Sequence, residues 1–248
     1  MTSAADVARL RAATTKVVNL ARRDLDRFWR RLDSTNADAA RDALLTYVPA
    51  LVSTYGEIAS TVAADWYDTV RAEEVRDGKR FAVLTVSPET DAAATGSVRY
   101  AAGHLYTDTP GLMLPVLSGA VQRHIAGVSR RTIGENVRRD PARPRYARVP
   151  QGPKTCAFCA MLASRGFVYG SENLAGGDGR EFHDDCDCQI VADWTSSPSV
   201  DGYDPAELYD RYAEARDASG GSDTRSIAAA MRRLNPDRYT DGVATAGN

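Results

Sequence analysis

Cysteine, histidine and lysine are scarce in this chain of 248 residues, and their scarcity narrows its chemistry. There are four cysteines and three histidines, and of 31 basic residues only Lys16, Lys79 and Lys154 are lysine. The remainder are arginine, which together with the abundant alanine points to a high-GC genome. No apolar run approaches the roughly 20 residues that a membrane helix requires, so a membrane partner is not expected. Gly-x-Ser-x-Gly and His-Glu-x-x-His are absent, which removes two common hydrolase signatures. From Met1 to Leu32 an Arg or Asp recurs every few residues with no apolar stretch. We therefore expect a chain made in a reducing compartment, with thiols in place of disulfides.

The few cysteines are concentrated. All four fall within 33 residues, as Cys156-x-x-Cys159 and then His183-x-x-Cys186-x-Cys188, while the other histidines, His104 and His124, lie far away. A CxxC pair closes a tight turn on one side of a metal and a second cluster closes the other, the pattern of tetrahedral Zn²⁺. We expect a structural Zn²⁺ held by four of Cys156, Cys159, His183, Cys186 and Cys188. One of the five is then spare: Cys186 or Cys188 is a bystander, or His183 stands behind the ligands. Two disulfides or inert buried thiols are the alternatives, and the spacing disfavours both. A catalytic zinc keeps a position open for water, whereas five donors can fill the shell. Glu181, Asp184, Asp185 and Asp187 crowd the second cluster, yet the order of ligands does not match the zinc deaminases. No catalytic residue is assigned.

Charge is distributed unevenly although the net is −2. Between Arg123 and Lys154 stand eight Arg and one Lys against Glu135 and Asp140, and between Ser171 and Asp210 eleven acids stand against Arg180 alone. One basic and one acidic face suit oriented assembly, or nucleic acid on the basic side. A solvated helix end and linker is the plainer explanation.

Periodicity predicts a mainly α fold. Ser3 and Asp6 form a capping-box-like start to a helix carrying Val7, Leu10, Val17, Leu20, Leu25, Phe28 and Leu32. A second helix is expected over about 37–74, with Pro49 kinking or splitting it. Phe81 to Val86 reads as extended, and Ser87-Pro88 as the start of a further helix towards Tyr106. Thr109-Pro110 opens a helix whose apolar stripe includes Leu117, Val121, Ile125 and Ile133, with His124 packed beside it. Arg138 to Pro150 is interrupted by Pro141 and Pro144, ends on a third proline, and reads as an extended basic linker. Phe158 to Leu162 is expected to be helical and Gly166 to Tyr169 a strand. A Gly-rich loop, 175–179, follows; it lacks the Lys-Ser/Thr of a phosphate-binding loop. Asp204-Pro-Ala-Glu207 starts another helix, Ser219-Gly-Gly-Ser222 breaks it, and a last helix ends near Leu234. The expected organisation is a helical body (1–137), a basic linker (138–152), a zinc-stapled α+β knuckle (153–198) and a C-terminal helical tail (199–248).

The segment from Arg130 to Trp194 resembles the phage head morphogenesis family typified by the F protein of phage Mu, the MuF-like minor capsid proteins. The resemblance is carried by Arg130-Arg-Thr-Ile-Gly-Glu-Asn136, Cys156-Ala-Phe-Cys159, Gly166-Phe-Val-Tyr169 and His183-Asp-Asp-Cys-Asp-Cys188. The wording from Thr155 to Gly166 is similar to the branch found in phages of actinobacteria. One departure is Asp184-Asp185, where many relatives place Pro and Asn. The resemblance implies a low-copy virion protein of the capsid interior, assembled in the host cytoplasm near the portal protein and the scaffold or major capsid protein. Contact with packaged double-stranded DNA through Arg138, Arg139, Arg143, Arg145 and Arg148 fits that role. Related phage genes are described as capsid maturation proteases, which gives the alternative of an enzyme; the missing nucleophile motif weighs against it.

Overall fold

The computed structural model describes residues 1–76, 80–88, 91–152, 154–168, 184, 186 and 188–241. Among these, seven helices and one two-stranded sheet make the fold mainly α, as expected. No helix among the described residues is long and apolar enough to cross a membrane.

Three long helices form the body: α1 (Ala4–Trp29), α2 (Ala37–Glu74) and α4 (Met113–Arg139), with α3 (Asp91–Ala102) packed against α2 and α4. The start of α1 is the expected capping box: Ser3 Oγ accepts from the Asp6 amide while the Asp6 carboxylate accepts from the Ser3 amide at 3.0 Å. Pro49 does not split α2, which runs unbroken through it. Leu44, Val48 and Val52 are buried on either side, and this packing outweighs the hydrogen bond that proline removes. Of the helix expected from Pro88, Asp91–Ala102 is helical and Pro88 itself is not; residues 89–90 lie outside the described residues. Pro88 instead presses on α2 at Gly56, where an added Cβ would lie 2.8 Å from the Pro88 ring. Glycine is required there by that close approach.

Residues 81–86, expected to be extended, are neither helix nor strand and belong to no sheet. Side chains take the place of a neighbouring strand. The Asn136 carboxamide accepts from the Leu84 amide at 2.9 Å and donates to the Leu84 carbonyl at 2.8 Å, and the Val86 amide donates to Ser60 Oγ at 2.7 Å.

The expected basic linker contains a strand. β1 (Arg145–Val149) pairs antiparallel with β2 (Gln189–Asp193), with Ala147 opposite Val191. Tyr146, Ala147, Arg148 and Val149 are buried, so four residues of this segment are core and not solvated chain. At its entrance Asp140 is buried and accepts from Arg71 Nε (2.8 Å), Tyr67 Oη (3.1 Å), Trp194 Nε1 (3.0 Å) and the Ala142 amide (2.9 Å). The N-terminus closes the same region, with Thr2 Oγ1 donating to the Ala192 carbonyl at 2.7 Å.

The strand expected at Gly166–Tyr169 is absent over Gly166–Val168; Tyr169 lies outside the described residues. Gly166 has φ 65° and its amide bonds back to the Ala163 carbonyl at 3.1 Å, so it terminates α5 (Ala157–Ala163). A left-handed glycine after a helix closes its last turn and does not open a strand. The tail forms α6 (Pro205–Ser219), capped by Asp204, and α7 (Thr224–Leu234). Both pack on α5 at Ala157, Ala160 and Met161, α6 through Ala215 and α7 through Ile227 and Met231.

Candidate metal centre

Four cysteines lie at the seam between α5, α4 and the sheet, and every one is buried. Cys156 is the N-cap of α5, and its Sγ accepts from the Cys159 amide at 3.1 Å. That bond follows from the CxxC spacing: the cap side chain faces the amide three residues on. Cys159, one turn into α5, points back towards the second cluster, and its Sγ lies 3.3 Å from that of Cys186. The sulfurs of Cys159, Cys186 and Cys188 all fall within 4.8 Å of one another and could hold a metal ion. None of the four is in a disulfide. His183 lies outside the described residues, as do Glu181, Asp185, Asp187 and the loop 175–179.

The thiols share protons in a way that separates their acidities. Hydrogen bonds with the thiols of Cys156, Cys186 and Cys188, together with burial, push Cys159 well above the ordinary thiol value. Hydrogen bonds from Cys159 and Cys188, aided by the Arg130 charge, hold Cys186 far below it. Cys159 Sγ thus sits against Cys186 Sγ within the group of three converging sulfurs, and a thiolate is the form of cysteine that binds metal.

The second cysteine pair is positioned by α4 through its backbone. Arg130 donates from Nε to the Cys188 carbonyl and from a terminal nitrogen to the Cys186 carbonyl, both at 2.9 Å. Gln122 Nε2 donates to the Cys186 carbonyl at 3.1 Å. Arg123 Nε lies 3.2 Å from the Asp184 carboxylate. At Gly119 an added Cβ would stand 3.0 Å from Asp184 Cβ, so glycine lets the loop approach the helix. Residues 119, 122, 123, 126 and 130 recur at helical spacing and form one face of α4. Sequence reasoning identified the apolar stripe of this helix but not its polar one. The available signal was a set of small and polar residues at helical spacing on a helix otherwise rich in core positions.

Through these contacts the cysteines pack directly against the helical body. Cys156, Cys159, Cys186 and Cys188 share one apolar cluster with Leu10 of α1, Tyr67 of α2, Ile133 of α4 and Val191 of β2. His124, expected to be a packed residue, is buried in α4 with Nε2 2.9 Å from Ser97 Oγ. Of the five arginines considered for DNA contact, Arg138, Arg139, Arg143 and Arg145 are exposed, whereas Arg148 is fully buried in β1.

No curated protein and no solved structure matches the chain. A family model described as VG15 protein matches residues 1–215. That span takes in the helical body, both strands and all four cysteines, so the chain belongs to the VG15 protein family, a phage-associated family of viral genes.

Proposed function

We propose that this chain is a structural protein of the phage head, a MuF-like minor capsid protein whose cysteine cluster holds a structural Zn²⁺. The observation that carries the reading is the convergence of buried sulfurs from Cys159, Cys186 and Cys188, with Cys156 hydrogen-bonded beside them. Four sulfur donors complete a tetrahedral shell and leave no position for water, the arrangement of a structural site. Cys159, Cys186 and Cys188 accordingly supply three of the ligands, with Cys156 or His183 as the fourth. Bound there, the ion supplies cross-linking between α5 and the strand that follows the second cluster. Head assembly is supported by the cysteine pattern in a phage-associated family and by a long-helix body suited to protein contacts. The portal protein and the scaffold or major capsid protein are the partners this role implies. Arg138, Arg139, Arg143 and Arg145 offer an exposed basic edge to packaged DNA; Arg148 serves the core.

Peptide mass spectrometry of purified virions and proheads tests the role. Full-length chain in the mature virion at low copy supports the minor capsid reading. Absence from virions, with capsid processing lost when the gene is removed, overturns it.

The second reading, a capsid maturation protease, draws on the Ser97–His124 contact, the pairing a serine nucleophile and its base require. The same Ser97 hydroxyl bonds the Ala93 carbonyl within α3, as serine commonly does inside a helix. Capsid processing that continues with Ser97→Ala dismisses this reading.

A further inference from the structure

Cys156 is clasped on both sides by the segment that follows α7. The Thr155 carbonyl accepts from the Thr240 amide at 3.0 Å, and Thr155 bridges Tyr239 in parallel register. On the other side the Ala157 amide donates to Asp241 Oδ1 at 2.9 Å. The first turn of a helix has amides that its own carbonyls cannot satisfy. The Cys156 sulfur serves the Cys159 amide, and Asp241 serves that of Ala157. Burial alone raises the Asp241 carboxyl, but bonds from Arg232 and the Ala157 amide outweigh it and hold it below the ordinary value of 3.8. Asp241 is therefore a carboxylate at neutral pH, and its bond to Ala157 is charge-assisted.

The segment is itself held in place. The Asn235 amide bonds the Met231 carbonyl at 3.0 Å as α7 ends, and a single 3₁₀ turn, Pro236–Arg238, redirects the chain. Tyr239 is then buried in the apolar cluster that α5 and α7 share. Arg232, in the last turn of α7, donates from Nε to Asp241 Oδ2 at 2.8 Å and aims the carboxylate. The Arg232 and Asp241 side chains are 27 % and 34 % exposed, so water competes for this pair. Local opening here need not disturb the buried core. All of α7 and the segment after it lie beyond residue 215, where the family match ends.

We propose that residues 235–241 are a strap that holds the Cys156–Cys159 turn against the second cysteine cluster and governs how readily the cluster releases metal. Asp241 is the positioning residue, and Arg232 orients it. Docked, the strap fixes the backbone on both sides of Cys156. That keeps Cys159, one turn on, with its sulfur 3.3 Å from that of Cys186. Undocked, α5 loses its tie at the turn that carries both sulfurs of the first pair. The consequence for zinc rests on the metal reading, whereas the hold on Cys156 is a property of the chain alone.

The test uses the full-length chain and reads two quantities. In the metal-stripped protein, alkylation of each cysteine by iodoacetamide, followed by peptide mass spectrometry, measures local opening. Asp241→Ala speeds labelling of Cys156 about tenfold, the loss of a charge-assisted hydrogen bond. Cys188, whose carbonyl Arg130 holds, keeps its wild-type rate. Asp241→Asn retains an acceptor for the Ala157 amide and restores most of the protection. In the zinc-loaded protein, release to a chromophoric chelator quickens in Asp241→Ala by a similar factor. Equal labelling of Cys156 in wild type and Asp241→Ala overturns the strap. Equal acceleration at Cys156 and Cys188 also overturns it, because that marks a general loss of stability. Unchanged zinc release in a variant whose Cys156 labels faster overturns the control of metal. A wild-type chain that binds no zinc refutes the metal reading by itself, and the Cys156 labelling still decides the strap.

Discussion

Arg130 and Cys188 are joined by a 2.9 Å hydrogen bond from the guanidinium Nε to the main-chain carbonyl. The same side chain reaches the Cys186 carbonyl, also at 2.9 Å. One planar fork thus sets the separation of two residues that carry converging sulfurs, and it does so from a helix in the centre of the body.

Arg130→Lys should preserve the charge but lose the fork, because an ammonium cannot reproduce two fixed, coplanar donors. We expect metal affinity to fall about 10–100-fold, the usual consequence of losing a group that orients ligands. Competition with a chromophoric chelator measures it. Arg130→Met, which leaves both carbonyls without their charged donor, should also lower stability by about 3 kcal/mol. Unchanged affinity in both variants would remove Arg130 from the account.

Cys159→Ser should reduce bound zinc and open the region from about Thr155 to Trp194. Because the cysteines share a core with α1, α2 and α4, the loss should also lower the melting temperature of the helical body. Limited proteolysis and thermal unfolding report the two effects. A zinc-free Cys159→Ser protein with a protease-resistant knuckle contradicts the prediction.

Asn136→Ala should release residues 81–86. Two hydrogen bonds to Leu84 disappear, at a cost of about 2 kcal/mol. Hydrogen exchange at the Leu84 amide should accelerate while amides in the middle of α1 keep their protection. Equal exchange in variant and wild type would show that the segment is held by other contacts.

Asp140 gives the fold an acid limit. Burial on its own raises this carboxyl, but hydrogen bonds from Arg71, the Ala142 amide and Trp194, with the Arg71 charge, outweigh it and hold the group below the ordinary value of 3.8. A depressed folded value means that the stabilisation is complete above the unfolded value and is lost as pH falls through the folded one. At neutral pH, Asp140→Asn leaves Arg71 buried without its counter-charge and should cost about 3–5 kcal/mol. The gap between wild type and variant should narrow as pH drops below 3.8. Urea unfolding across a pH series checks this, and a gap independent of pH contradicts it.

The helices were legible because their signals are local. The Ser3–Asp6 box, the Asp204-Pro205 start and the apolar periods of α1, α2 and α4 each act within a few turns. The sheet was not legible. β1 is rich in arginine and flanked by prolines, and only its pairing with β2 explains why Arg148 and Tyr146 face the core. β2 has five residues, all buried, so it offers no alternation to detect. Of the two outcomes expected at Pro49, a split does not occur, because tertiary packing around Leu44, Val48 and Val52 overrides a local breaker. At the candidate site the cysteine spacing was visible and the supporting face of α4 was not. Gly119, Gln122 and Arg130 act on a segment more than 50 residues away, the last two through its main-chain carbonyls. A contact with backbone leaves no complementary residue type in the sequence.

The central claim is that this cysteine cluster is a metal centre that stabilises the body. Metal analysis of the purified full-length chain, combined with native mass spectrometry before and after chelation, tests it most directly. The account predicts one Zn²⁺ per chain and a lower melting temperature once it is removed. A metal-free chain with all four thiols intact and an unchanged melting temperature would contradict it.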